Sequence, residues 1–114
     1  MKFLAAVLAV AFLIPVATVA QKDENVTVVS TYQTDSDGYQ YGVRYTLDST
    51  VGTDTCVFPR VVSSQNVTGS VVDSIQLRAN ETGVNIGGFN SADESKPWSV
   101  VVKAKWRKGL CADL

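Results

Sequence analysis

The sequence carries eleven acidic side chains, two cysteines and no histidine, and those counts bound its chemistry. Without imidazole there is no Ser-His-Asp hydrolase, no Cys-His protease, no histidine ribonuclease and no ordinary zinc site, since each uses that ring as base or ligand. Carboxylate chemistry remains, with Asp35, Asp37, Asp48, Asp54, Asp73, Asp93 and Glu94 as its candidates. A glycoside hydrolase sets two such groups across a cleft, and a domain this small has little material for one. Most of these acids adjoin Ser, Thr or Gly, where Asp is favoured because it hydrogen-bonds the local backbone, so they read as turn residues. Asp35-Ser36-Asp37-Gly38 has the opening spacing of a calcium loop, but a strand follows it where the remaining ligands should stand. It reads as a tight turn, so no catalytic residue, metal or cofactor is expected.

Cys56 and Cys111 lie too far apart in sequence for a redox pair, and no imidazole stands by to complete a metal site. They read as one intramolecular disulfide formed in an oxidising compartment. The first twenty residues, "MKFLAAVLAVAFLIPVATVA", agree: Lys2, an apolar run from Phe3 to Ile14, Pro15, then Thr18 and Ala20 at a small-residue exit. This is the pattern of a secretory signal peptide, with cleavage expected after Ala20. The apolar run is shorter than the roughly 20 residues of a bilayer span, so one secreted, extracellular domain over 21–114 is expected, with no membrane span. The terminal "CADL" has the outline of a prenylation box, but Asp113 at an aliphatic position and export from the cytosol count against it. Three sequons, beginning at Asn25, Asn66 and Asn80, are N-glycan acceptors in a eukaryotic host.

The formal net charge is −1, and loss of Lys2 with the leader makes it one unit more negative, which argues against nucleic-acid affinity. Recognition must come from aromatic and clustered basic side chains. Tyr32, Tyr45, Trp98 and Trp106 share the alternation parity of Val28, Val43, Leu47, Val100 and Val102, which assigns them to a core. Tyr39 and Tyr41, nearer a turn, are the candidates for stacking on sugar rings or anchoring a protein interface. Lys103, Lys105, Arg107 and Lys108 form the densest charge in the chain, suited to a solvated face, a guarded sheet edge or contact with an acidic partner.

These residues need elements to position them, and period-two alternation supplies those elements. In "YQYGVRYTL", Tyr39, Tyr41, Val43, Tyr45 and Leu47 take one face while Gln40, Gly42, Arg44 and Thr46 take the other. Asp37-Gly38 marks a hairpin that folds "ENVTVVSTYQT" back, setting Val28, Ser30 and Tyr32 on the apolar face. Further strands are expected in "TCVFPRVVS", "SVVDSIQLR", "GVNIGGF" and "WSVVVKAKW". "RANETG" reads as a short hairpin, and "SSQNVTGS" as a loop holding Asn66. Pro59 implies an edge or a bulge, and Asp73, on apolar parity, implies a bulge near Ser74. In the last strand Trp98, Val100, Val102, Ala104 and Trp106 face the core, and Val101, Lys103, Lys105 and Arg107 face out.

The expected architecture is all-β: a small antiparallel β-sandwich or flattened barrel of about six strands, stapled by one disulfide. It lacks the Trp that immunoglobulin domains place about a dozen residues after the first bridge Cys. In size, class and bridge count the chain resembles the small disulfide-stapled β-sandwich proteins that eukaryotic microbes secrete as effectors; no motif is shared and no residue role transfers. The expected function is that of a non-catalytic binding protein engaging an extracellular or host protein. A lectin-like module using exposed Tyr residues is the alternative.

Overall fold

The computed structural model describes residues 23–113, so the leader assigned to residues 1–20 lies outside the described residues. The hairpin comes first and follows the sequence closely. Gly38 takes the left-handed φ of 87° that its turn requires. Its N–H donates to the Asp35 carbonyl at 3.1 Å. The Asp35 carboxylate accepts the N–H groups of Asp37 and Tyr39 at 2.9 and 3.0 Å, which makes the expected side-chain turn. This joins β1 (Val26–Thr34) to β2 (Gln40–Ser49) with Val28 opposite Leu47, Ser30 opposite Tyr45 and Tyr32 opposite Val43.

From β2 onward every strand changes sheet. β3 (Thr55–Gln65), β5 (Ile75–Leu77) and β7 (Ser99–Lys108) form a three-stranded sheet in the order β5-β3-β7. β4 (Val67–Val71) and β6 (Val84–Ser91) complete a four-stranded sheet in the order β1-β2-β6-β4. All pairs are antiparallel, and the two sheets make a sandwich and not a closed barrel.

Seven strands stand where about six were expected, because "SVVDSIQLR" is broken at residues 72–74. An aspartate on apolar parity has no partner in a core, and the chain leaves the first sheet there with Asp73 exposed before β5 joins the second. Two connections also differ from expectation. "RANETG" is not a hairpin: β5 pairs with β3 and β6 with β2 and β4, so residues 78–83 cross between sheets. Six residues readily span the roughly 10 Å between packed sheets. At Asn66 a single residue in left-handed conformation, φ 53°, turns β3 of one sheet into β4 of the other, where a whole loop was expected.

Val26, Val43, Leu47, Val51, Val57, Leu77, Ile86 and Phe89 fill the space between the sheets. Tyr45 meets Phe89 edge-on with ring centroids 6.3 Å apart. The alternation of β2 thus becomes half of the core, as a half-buried strand requires. Pro59 lies beyond the three residues of β3 that pair with β5, where β3 has only β7 beside it. β4 lies tightly on β6 because Gly87 has no side chain: a Cβ there would stand 2.2 Å from the Ser70 carbonyl oxygen.

Cys56 and Cys111 are bridged, with Cα atoms 4.9 Å apart, and Cys111 opens a short 3₁₀ turn after β7. Gln76 seals this corner. Its Oε1 accepts the Cys111 N–H, and its Nε2 donates to the carbonyls of Thr55 and Gly109 at 3.0 and 3.2 Å.

Candidate functional site

β1 and β7 are the outer strands of their sheets, and they adjoin along one side of the sandwich. Between them runs a groove whose walls include Val28, Ser30, Tyr45, Val100 and Val101. At the hairpin end it widens into an open hollow of about 600 Å³ bordered by Tyr32, Tyr39, Gln40, Lys96, Pro97 and Trp98. The two stretches share Tyr32 and Val100.

The aromatic groups of this hollow are held by specific contacts. Trp98 Nε1 donates to the Gln40 carbonyl at 3.0 Å, which fixes the indole across the gap between the sheets. Tyr32, 53% exposed, stands 6.1 Å from Trp98 by ring centroids with the planes 47° apart. Tyr39 Oη donates to Ser91 Oγ at 3.1 Å. Burial, with the neighbouring Tyr32 adding to it, raises the Tyr45 phenol above its ordinary range. Tyr45 therefore stays protonated and points its hydroxyl at the Val100 carbonyl, 3.4 Å away.

The rim residues Lys96, Pro97 and Trp98 belong to the crossing from β6 to β7, and Asn66 holds that crossing in place. Its Nδ2 donates to the carbonyls of Asp93 and Lys96 at 2.9 and 3.1 Å, and its Oδ1 accepts the Asp93 N–H at 3.0 Å. Asp93 in turn accepts hydrogen bonds from the Ser95 hydroxyl and N–H, which hold its carboxyl below the usual carboxylate range.

Of the two tyrosines singled out by sequence, Tyr39 borders the hollow and Tyr41 does not. Tyr41 is the extra residue where the β1–β2 register shifts, and it is 36% exposed. Tyr32 and Trp98 were assigned to the core by parity. Their parity is right, but among the described residues no strand covers it at this end of the sheets. The signal was available in part, since Tyr32 precedes the same turn that made Tyr39 a candidate.

The basic residues also separate. Cross-strand register sets Arg60 opposite Lys103, Phe58 opposite Lys105 and Cys56 opposite Arg107, so Arg60, Lys103, Lys105 and Arg107 share the outer face of the three-stranded sheet. Lys108 falls on the other parity, opposite buried Thr55, and its ammonium is paired with Glu24. Arg60 was absent from the sequence-derived set because only strand pairing brings it to β7.

Asn25 precedes β1 and Asn80 lies in the crossing at residues 78–83; both are exposed, as are the sequon threonines Thr27, Thr68 and Thr82. Of the candidate acids, Asp35, Asp48 and Asp93 take backbone partners, Asp48 accepting the Gly83 N–H at 2.8 Å for example. Among the described residues no three His, Cys, Asp or Glu side chains converge as a metal site would need, and no helix is long and apolar enough to cross a membrane. Arg44 lies flat on the four-stranded sheet, its Nη1 donating to the carbonyls of Val43 and Phe89 and to Asn90 Oδ1. No family model matches the chain, and no curated protein or solved structure matches it either.

Proposed function

We propose that this is a secreted, non-catalytic binding protein that takes an extended segment of an extracellular or host protein into the groove between β1 and β7. The observation that carries the reading is the pair of adjoining strand edges, unpaired among the described residues, that ends at the Tyr32–Trp98 hollow. Open edges usually carry a guard such as a Pro or an inward charge. Neither β1 nor β7 contains a proline, the charges Lys103, Lys105 and Arg107 of β7 stand on the outer face of its sheet, and the groove between the two strands is lined mainly by Val, Ser and Tyr. An incoming strand would find backbone hydrogen bonds along either edge and two fixed rings as anchors at the end. Secretion is supported by the Cys56–Cys111 bridge and by the leader pattern of the first twenty residues. Action as an effector of a eukaryotic microbe accords with both.

A carbohydrate ligand is the second reading, favoured by the tilted Tyr32–Trp98 pair with Gln40 and Ser99 beside it. Rings set this way can stack on a sugar while nearby amide and hydroxyl groups hold its hydroxyls. One paired experiment separates the two. Displayed random peptides and a neutral-glycan array are screened against wild type, Tyr32→Ala and Trp98→Ala. Enrichment of peptides alternating apolar and polar residues, lost in both variants, supports the strand-binding reading. Sugar binding lost in the same variants, with no peptide enriched, replaces it with the lectin reading.

A further inference from the structure

We propose a second, separate recognition surface: the outer face of β3 and β7 binds a linear acidic polysaccharide, whose sulfate or carboxylate groups lie along the row Lys103, Lys105 and Arg107. Alternate residues of a strand are spaced by about 6.7 Å, so these three cations form a straight line of about 13 Å on one face. Arg60 stands beside Lys103 on the neighbouring strand and widens the row. All four are exposed, and among the described residues the ion pairs involve Lys96 and Lys108, not these four. Disulfide and ladder anchor the strands that carry the row, so the backbone spacing of its charges is set before a ligand arrives.

Three features select the ligand class. The chain as a whole is slightly acidic, so attraction is confined to this strip, which suits a narrow line of negative charge better than a broad anionic surface. The strip is interrupted by apolar groups, Val62 at 56% exposure and half-buried Phe58, which can meet the carbon faces of sugar rings between the charged groups. None of the four basic residues borders the β1–β7 groove or its hollow, where only Ser99 and Val101 of the outward parity of β7 take part. Both sites can therefore be filled at once, and the inference stands whether or not the groove binds a peptide.

The test is affinity chromatography and titration on heparin and on polygalacturonate, with double-stranded DNA, polyglutamate and phosphatidylserine vesicles as competitors of other classes. The expected result is retention on at least one of the two polysaccharides at about 100 mM salt. Four cations releasing roughly 0.7 counterion each give a slope of log K on log salt near −3. Lys103→Glu with Lys105→Glu should weaken binding by about tenfold or more, and Arg60→Glu alone by severalfold. Arg78→Glu, a reversal of the same sign elsewhere on the surface, should leave affinity within about twofold. The inference is overturned by no retention on either polysaccharide, by equal loss in Arg78→Glu, or by binding to DNA, polyglutamate or vesicles as firm as to the glycans. Circular dichroism of each variant confirms that the sandwich is intact, and Tyr32→Ala should bind the polysaccharide as wild type does.

Discussion

Asn66 performs two tasks that different substitutions separate. It supplies a left-handed backbone, φ 53°, at the single residue between β3 and β4, and it ties down the crossing that carries Lys96, Pro97 and Trp98 to the groove. Asn66→Gly keeps the backbone conformation and removes four side-chain hydrogen bonds, the three already described and a longer one from Nδ2 to the Pro97 carbonyl at 3.4 Å; at the low end of about 0.5–1.5 kcal/mol each for solvent-accessible bonds, the loss is about 2 kcal/mol. Asn66→Ala loses the same bonds and must also hold a β-carbon in the left-handed region, adding about 1 kcal/mol. Asn66→Asp keeps the acceptor for the Asp93 N–H but turns a carboxylate oxygen toward the three carbonyls of Asp93, Lys96 and Pro97 that need a donor, so it should cost at least as much as glycine. Urea unfolding of the three variants, followed by circular dichroism with unchanged m-value, reads these differences. An Asn66→Asp protein within about 0.5 kcal/mol of wild type would refute the donor role of Nδ2, and equal Ala and Gly variants would refute the backbone role. The same geometry leads to a prediction for the three sequons. A glycan on Nδ2 leaves one hydrogen for three carbonyls, so intact-mass analysis after eukaryotic expression should find sugar at Asn25 and Asn80 and none at Asn66.

The disulfide closes a loop of sequence separation 55, for which the chain-entropy relation gives about 4 kcal/mol, so Cys56→Ser with Cys111→Ser should lower unfolding free energy by that order in urea titration. A loss under about 1 kcal/mol would mean that the unfolded chain is already constrained. Glu24 is held below the usual carboxylate range, first by its hydrogen bond with Lys108 and then by the Gly52 N–H. Because its folded pKa lies below the unfolded value of 4.5, its contribution is complete above that value and disappears as pH falls through the folded pKa. Glu24→Gln should therefore be less stable than wild type at pH 7 and indistinguishable from it near pH 2, and a pH-independent difference would rule the linkage out. Gly87→Ala places a β-carbon 2.2 Å from the Ser70 carbonyl at a φ of 128°, so β4 should detach from β6, read as loss of amide-exchange protection over Val67–Val71. Retained protection there would show that the sheet can widen to accept the methyl group.

What could be read in the sequence was whatever is encoded locally. Alternation in "YQYGVRYTL" placed Val43, Tyr45 and Leu47 in the core, and Asp37-Gly38 set the hairpin and its register, because both signals act within a few residues. The disulfide was legible from compartment and count. Sheet membership was not, since β4 and β5 differ by which strand lies alongside, and no property of "SVVDSIQLR" records its neighbours. The same limit hid Arg60, forty-three positions from the lysine it stands beside. It also hid the exposure of Tyr32, whose parity is apolar but whose end of the sheet has no covering strand among the described residues.

β7 shows how both proposed surfaces can be built from so little chain. Its even-numbered residues, Val100 and Val102, line the groove and the core, while Lys103, Lys105 and Arg107 stand on the opposite face. A one-residue slip against β3 would exchange these faces, burying the cations and exposing the valines. Three contacts oppose that slip: the Cys56–Cys111 bridge and the Gln76 bonds at one end, and the indole of Trp98 on Gln40 at the other. The extra residue of β3 between Val61 and Ser63 marks where these two anchored ends are reconciled. Binding at either face therefore depends on the same register, and variants that loosen the bridge should weaken both the groove and the basic row even though neither contains a cysteine.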